Sequence, residues 1–138
     1  MNSYKFEDIK VGLTESFQVT ITNSEMEKFL AISNDVNPLH NDSNYAKEKG
    51  YPDRVVFGML TASYLSTLAG VYLPGQYSLI YRVSTDFVKP VFIGDKLTIT
   101  GEVKDVNELF KVFNMKVTIK NQNDELVLRG KMEVGFKQ

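Results

Sequence analysis

The only histidine of the chain, His40, follows a carboxylate, Asp35, by five residues. Histidine is the side chain whose unperturbed pKa, about 6.5, lies near neutrality. Between the two, Pro38 has a fixed φ and restricts Asn37 to an extended conformation, so this loop can hold carboxylate and imidazole facing one another. Such a pair can orient a water molecule and move its protons, which is general acid–base chemistry. The alternative is that Asp35 and Asn37 are ordinary turn residues, and the spacing alone does not decide between the two.

The composition excludes several other chemistries. The 138 residues contain no cysteine, which rules out disulfides, thiolate metal sites, iron–sulfur clusters and thiol nucleophiles. With 16 basic and 17 acidic side chains, the net charge of −1 offers no general attraction to nucleic acid or to an anionic membrane. The hydrophobic fraction of 43% and the charged fraction of 24% are typical of a folded globular protein. The length suits one domain, residues 1–138.

One long stretch, residues 55–81, carries no charged side chain. A membrane-spanning helix needs about 20 consecutive apolar residues, whereas Pro74 and Gly75 interrupt this stretch and several hydroxyl side chains lie in its first part. We therefore expect a helix from about Gly58 to Tyr72 that is buried on nearly all sides within a globular fold. The N-terminal region lacks the apolar segment of a secretory signal, and we expect a cytoplasmic protein.

The elements before this helix have recognisable boundaries. Apolar residues alternate with polar ones over residues 17–21, which is typical of a half-buried strand. Overlapping capping boxes begin at Thr22 and Ser24 and predict the start of a helix. The segment 33–42 is rich in turn-forming residues and predicts a loop, after which a short helix ends at Gly50.

Beyond Gly75 the hydrophobic period changes to two. Four strand patterns follow, at residues 79–87, 97–103, 113–119 and 132–136. Consecutive strands with short connections favour a mostly antiparallel sheet. The sequence therefore predicts an α+β fold in which one curved sheet wraps around the charge-free helix.

Several segments resemble one known family and occur in the family's order. Residues 35–40, Asp-Val-Asn-Pro-Leu-His, followed by Asp42, resemble the D-x-N-P-L-H-x-D motif of the (R)-specific enoyl-CoA hydratases, the MaoC-like dehydratases. Residues 57–63 are similar to the family's H-G-M-L-x-A-S motif, and residues 87–95 resemble its F-x-x-P-V-x-x-G-D strand and turn. The opening residues and the Leu-Pro-Gly after the helix also match, so the resemblance covers nearly the whole chain.

This resemblance implies the hot-dog fold, a curved antiparallel sheet wrapped around a long central helix. It also implies a hydro-lyase of fatty acid metabolism that hydrates a trans-2-enoyl-CoA to the (R)-3-hydroxyacyl-CoA, or catalyses the reverse dehydration. By the same resemblance, Asp35 and His40 hold and activate the water, and the backbone N–H of Gly58 donates to the thioester oxygen. A preorganised donor of this kind can contribute about 3–4 kcal/mol to stabilising a developing oxyanion.

The resemblance assigns further residues to supporting and binding roles. Asn37 shapes the catalytic loop, and Ser66 matches a helix serine near it. Two positions depart from the family pattern: Phe57 replaces a histidine and Asn34 replaces a glycine, and neither carries a chemical role. The residues expected to contact substrate, as pocket wall or as basic groups for the CoA diphosphate, are Phe57, Met59, Arg54, Arg82 and Lys89.

The expected substrate is an acyl-CoA or acyl-carrier-protein thioester. No metal or redox cofactor is expected, and CoA counts as part of the substrate. A homodimer or larger homo-oligomer is expected, without nucleic acid or membrane partners. Two alternatives stay open: a hot-dog acyl-CoA thioesterase, which would attack C1 rather than C3, and a non-catalytic acyl-thioester-binding subunit. The acyl chain length, the physiological direction and the division of proton transfers between Asp35 and His40 also stay open.

Overall fold

The computed structural model describes residues 1–137. After a 3₁₀ turn at Phe6–Asp8, the elements are β1 (Thr14–Thr20), α1 (Asn23–Ser33), α2 (Pro38–Asn41), α3 (Ser43–Glu48) and α4 (Gly58–Thr67). Helix α4 continues directly into a π-helical turn, Leu68–Tyr72. The strands β2 (Ser78–Phe87), β3 (Lys96–Asn107), β4 (Val112–Lys120) and β5 (Leu126–Phe136) follow.

The five strands form one sheet in the order β1-β3-β4-β5-β2, and every neighbouring pair is antiparallel. The predicted antiparallel sheet is therefore confirmed. The strand β2 pairs with β5 rather than with β3, so β1 and β2 are the two edges. Within the β2–β5 pair, Val83 lies opposite Met132 and Phe87 lies opposite Leu128. Because both partners are fully buried, Val83 and Phe87 face the inner side of the sheet.

The predicted helix from Gly58 to Tyr72 is present and lies against this inner face. Leu65 and Leu68 are buried there in one apolar core with Ile99 and side chains of β4 and β5. The contact is close, since a Cβ atom added to Gly101 in β3 would lie 3.0 Å from Leu68 Cδ2. A larger side chain at that position would push the helix away from the sheet.

The expectation that this helix is buried on nearly all sides is wrong for the isolated chain. Met59 is 65% exposed, and Ser63 and Ser66 on the same helix are also exposed. The sheet covers the helix from one side, and nothing within residues 1–137 covers this second face. None of the helices in this part of the chain combines the length and apolar character that a membrane crossing requires.

The predicted loop at residues 33–42 contains one helical turn, α2, which the loop prediction missed. The Asn37 side chain accepts a hydrogen bond from the Leu39 N–H at 2.9 Å, and Pro38 occupies the first helical position. Both residues are typical of a helix start. The next short helix, α3, is capped by Asp42. It ends just before Gly50, which has φ +93°, so the predicted end at Gly50 is confirmed.

Candidate active site

The His40 imidazole is held by a backbone carbonyl group. Its Nδ1 lies 2.7 Å from the Val55 oxygen, and because a carbonyl oxygen can only accept, Nδ1 donates its proton there. The other ring nitrogen, Nε2, is therefore left to accept or donate a proton elsewhere. The ring of Phe57 packs on the imidazole, with the ring centroids 4.5 Å apart. These contacts set both the tautomer and the orientation of His40.

The carbonyl that holds His40 belongs to a segment that is itself held by backbone hydrogen bonds on both sides. The Val55 N–H donates to the Leu39 oxygen at 3.1 Å, and the Val56 N–H donates to the Val91 oxygen at 2.8 Å. Val55 also forms an isolated antiparallel bridge with Phe92. The extended segment 55–56 therefore links the helical turn that carries His40 to the segment before β3.

The Asp35 carboxylate lies on an exposed and well-connected loop. Its Oδ1 accepts the Asn37 N–H at 3.1 Å, and its own N–H donates to Ser33 Oγ at 3.2 Å. The Asn41 side-chain amide donates to the carbonyl oxygens of Asp35 at 3.1 Å and Asn37 at 2.9 Å. Oδ2 of Asp35 has no hydrogen-bond partner within residues 1–137, so one carboxylate oxygen is left for another ligand.

The residue before this carboxylate explains one departure from the family pattern. Asn34 ends α1 in the left-handed conformation, at φ 56° and ψ 25°, and its N–H donates to the Leu30 oxygen at 2.8 Å. Glycine is preferred in this conformation, and asparagine is the residue that next tolerates it. The replacement of glycine by Asn34 therefore preserves the turn that leads to Asp35.

Gly58 is the first residue of α4, and its N–H has no acceptor within the described chain. An N–H at a helix N-terminus attracts negative charge, because it is unpaired and lies at the positive end of the helix dipole. A Cβ atom at this position would lie 3.1 Å from Phe87 Cε1. Glycine therefore keeps open the space between the helix start and the Phe87 ring.

Two cavities meet at this point. The first, about 290 Å³, contains Asp35 in its wall, and we call it the Asp35 cavity. The second, about 270 Å³, contains Thr61, and we call it the Thr61 cavity. Three residues line both: His40, Gly58 and Phe87. The structure thus brings Asp35, His40 and Gly58 together around one space, as the sequence predicts.

The other predicted site residues are distributed unevenly. Phe57 is buried in the wall of the Asp35 cavity, and Met59 lies at its exposed rim. Lys89 lines the Thr61 cavity and forms an ion pair with Glu125. Three predicted residues line neither cavity: Arg54, Arg82 and Ser66.

These three residues lie elsewhere on the molecule, which explains why they line neither cavity. Arg54 donates to the Asn23 side chain at 2.8 Å, at the start of α1. Arg82 is exposed on the edge strand β2, and Ser66 lies on the exposed face of α4. Within a single described chain, then, Ser66 does not reach the Asp35 loop, and its supporting role stays a prediction.

Sequence reasoning missed several residues of the site. Thr61 and Phe87 fall inside recognisable motifs, but the motif leaves position 61 unspecified and gives residue 87 no role. Val55 contributes only a backbone oxygen, and a backbone contact cannot be predicted from the residue type. Across residues 1–137, no three carboxylate or imidazole side chains are grouped so that they could hold a metal ion.

A carboxylate, a free imidazole nitrogen and an unpaired helix-terminal N–H around one cavity can support proton transfer next to a carbonyl group. Together with a curved antiparallel sheet around one helix, they define the class of hot-dog acid–base enzymes. Comparison with known proteins narrows this class: residues 7–125 match the model of the MaoC-like domain, and the chain belongs to that family.

The relatives agree with this assignment. The chain is 39% identical to an (R)-specific enoyl-CoA hydratase of Rhodospirillum rubrum, over 71% of this chain and 68% of the relative. It is 33% identical to an (R)-specific enoyl-CoA hydratase of Aeromonas caviae, over 93% of this chain and 96% of the relative. It is 32% identical to a 3-hydroxybutyryl-CoA dehydratase of Methylorubrum extorquens, over 91% of this chain and 79% of the relative. The predicted enzyme class, a hydro-lyase, is confirmed at this level.

Solved structures confirm the predicted fold. The (R)-hydratase of A. caviae superposes with a TM-score of 0.91 at 32% identity, covering 95% of this chain and 99% of that one. An R-hydratase of Pseudomonas aeruginosa superposes with a TM-score of 0.90 at 26% identity, covering 96% of this chain and 85% of that one. The sheet wrapped around α4 is therefore the hot-dog fold.

Proposed function

We propose that this protein catalyses the (R)-specific hydration of a trans-2-enoyl thioester to the (R)-3-hydroxyacyl thioester, or the reverse dehydration. The observation that carries the proposal is that Asp35, His40 and the unpaired N–H of Gly58 line one cavity. The relatives named hydratase and dehydratase support the same reaction. The reaction moves a water molecule and its protons without oxidation or reduction, so it needs no redox cofactor.

In the proposed mechanism, a water molecule lies between the free carboxylate oxygen of Asp35 and Nε2 of His40. One of these groups removes a proton from the water as its oxygen forms a bond to C3. The C2–C3 double-bond electrons shift towards the thioester carbonyl, and negative charge collects on its oxygen. The Gly58 N–H donates to that oxygen, and the dipole of α4 favours the charge. Return of a proton to C2 on the same face completes a syn addition.

A hydration assay separates this proposal from the two alternatives. The purified protein is mixed with crotonyl-CoA, and loss of the conjugated enoyl absorbance is followed beside release of free thiol. Loss of absorbance without thiol release is expected, with the (R)-3-hydroxyacyl product on chiral analysis. Thiol release would instead show a thioesterase. Neither signal, across enoyl chains of increasing length, would show a binding subunit.

The proposal includes a homodimer, because one apolar surface is left uncovered. We define the edge patch as Met59 on α4 and three residues of β2: Ile80, Val83 and Phe87. These four side chains are between 40% and 65% exposed. The strand β2 is also a sheet edge, which tends to associate with another chain. A second copy of this chain is the occupant we expect, since closed two-fold contacts dominate homo-oligomers.

A further inference from the structure

One buried hydroxyl group in the site has no hydrogen-bond partner. Thr61 lies on α4, one turn beyond Gly58, and is only 2% exposed. Among buried side-chain polar atoms of residues 1–137, its Oγ1 is the one left without a partner. An unpaired buried polar group costs free energy, so such groups normally have a ligand or partner. Thr61 is also a lining residue of the Thr61 cavity, so a ligand bound there lies next to this side chain.

The arrangement of the two cavities indicates which part of the substrate lies beside Thr61. Asp35 lines only the Asp35 cavity, whereas Gly58 lines both. In the proposed reaction, C3 lies near Asp35 and the thioester oxygen lies near the Gly58 N–H. The sulfur and the pantetheine arm attached to it then extend from Gly58 through the Thr61 cavity. Lys89, which lines this cavity, is a cation suited to the phosphate that ends the arm.

We propose that the Thr61 hydroxyl forms a hydrogen bond with the cysteamine amide of the substrate's pantetheine arm. This inference rests on the proposed function and names a binding contact for it. The amide nitrogen lies three bonds beyond the thioester sulfur. Thr61 lies three residues beyond Gly58, which is roughly 4.5 Å along a helix axis, and the S–C–C–N unit spans a comparable distance.

The contact explains an otherwise unfavourable residue choice. The neighbouring walls of the Thr61 cavity are apolar and include Val55, Val56, Val91 and Val127. A valine at position 61 would have nearly the shape of threonine and no unpaired hydroxyl. An amide group satisfies the hydroxyl in the complex and is common to CoA and acyl-carrier-protein thioesters. The same contact therefore serves both classes of substrate.

The test compares two crotonyl thioesters of equal length. Crotonyl-N-acetylcysteamine contains the amide, and the S-pentyl thioester replaces it with methylene groups. We expect the wild-type protein to prefer the amide substrate about tenfold in kcat/KM, the size of one hydrogen bond to a buried group. In Thr61→Val this preference disappears through a higher KM for the amide substrate, with kcat little changed. Thr61→Ser retains the preference.

A matched control and a folding measurement complete the design. Thr118→Val, on β4 and outside both cavities, is expected to retain the preference. Unliganded Thr61→Val is expected to melt no lower than wild type, because an unpaired hydroxyl stabilises nothing. An unchanged preference in Thr61→Val overturns the inference. An equal loss on both thioesters also overturns it, since that result indicates a bridging water or a general distortion.

A binding measurement keeps this inference separate from the proposed reaction. Butanoyl-pantetheine is saturated and cannot be hydrated, and its binding is measured by calorimetry on the same variants. About tenfold weaker binding to Thr61→Val, with normal binding to Thr61→Ser, supports the amide contact even if wild type hydrates no thioester. Equal affinity of wild type and Thr61→Val overturns it even if hydration is rapid.

Discussion

Asp35 and His40 each use one polar atom to hold the local structure and leave another free. In Asp35, Oδ1 accepts the Asn37 N–H at 3.1 Å, while Oδ2 has no partner in the described chain. In His40, Nδ1 donates to the Val55 oxygen at 2.7 Å, while Nε2 has no hydrogen-bond partner in the described chain. Substitutions can therefore remove the free atom of each side chain and keep the anchoring one.

Two such substitutions test the assignment of the acid–base pair. Asp35→Asn keeps an oxygen for the Asn37 N–H and removes the charge, and His40→Asn keeps an N–H donor near the position of Nδ1 and removes Nε2. Each should lower the hydration rate of crotonyl-CoA by at least about 100-fold, the low end for a positioned acid or base. The melting temperature is measured in parallel and should change little.

The control for this pair is Asp53→Asn, which removes an exposed carboxylate that lines neither cavity. It should hydrate crotonyl-CoA at the wild-type rate. If Asp35→Asn or His40→Asn retains near-full activity with an unchanged melting curve, the role assigned to that residue is wrong.

At the residue scale, the site was predictable where a local motif specifies it. Asp35, His40 and Gly58 lie in short motifs, and the structure places all three around the Asp35 cavity. Phe87 was not predictable as a neighbour of Gly58, because their contact depends on how β2 and α4 come together. Thr61 could be recognised only once its hydroxyl was known to lack a partner. Contacts between distant segments leave no local pattern.

Among the elements, α1 has a start that depends on pH. The Thr22 N–H donates to the Glu25 carboxylate at 2.9 Å, and the Thr22 hydroxyl also contacts it. The Thr22 hydrogen bond is the main cause of a lowered pKa of Glu25. A carboxyl with a lowered pKa stabilises the folded state above its unfolded pKa, about 4.5. That stabilisation is lost as the pH falls through the lower, folded value.

Thr22→Ala should therefore lower the free energy of unfolding by about 1 kcal/mol at pH 7, the usual cost of losing a cap. The difference from wild type should shrink in acid, where a protonated and uncharged Glu25 accepts more weakly from Thr22. Urea unfolding at pH 7 and at about pH 3.5 measures both values. Ser24→Ala is the matched control, since Ser24 lies inside α1. This substitution should change the free energy of unfolding little at either pH.

The elements themselves were largely predictable, because each has a hydrophobic period or a cap. The strands appear as period-two patterns, and the Thr22 capping box begins α1 as expected. The turn α2 was missed because four residues are too few to show a helical period. The exposed face of α4 was missed because hydrophobicity does not reveal whether a helix is buried within its own chain or against another.

For the whole molecule, the edge patch provides the test of oligomeric state. Val83→Lys places a charge in the centre of the patch and should shift the protein from a dimer towards a 15.7 kDa monomer. Its hydration activity should fall with the loss of the dimer, because Phe87 belongs to both the patch and the cavities. Light scattering after size exclusion at micromolar concentration, beside the crotonyl-CoA assay, measures both effects.

The control is Val11→Lys, which makes the same substitution at a valine that is 68% exposed outside the patch. It should leave both mass and activity unchanged. A wild-type protein that elutes as a single 15.7 kDa species with full activity would contradict the proposed dimer.

The segment 55–56, which joins the turn that carries His40 to the segment before β3, also has a consequence for thermal inactivation. Val55 holds His40, and the Val56 N–H donates to Val91 at 2.8 Å, within a buried part of the core. We expect the imidazole to lose its orientation when this buried segment separates from Val91. Amide hydrogen exchange at Val56 should therefore be about as slow as in the central strands. On heating, the loss of that protection and the loss of catalysis should follow the same time course.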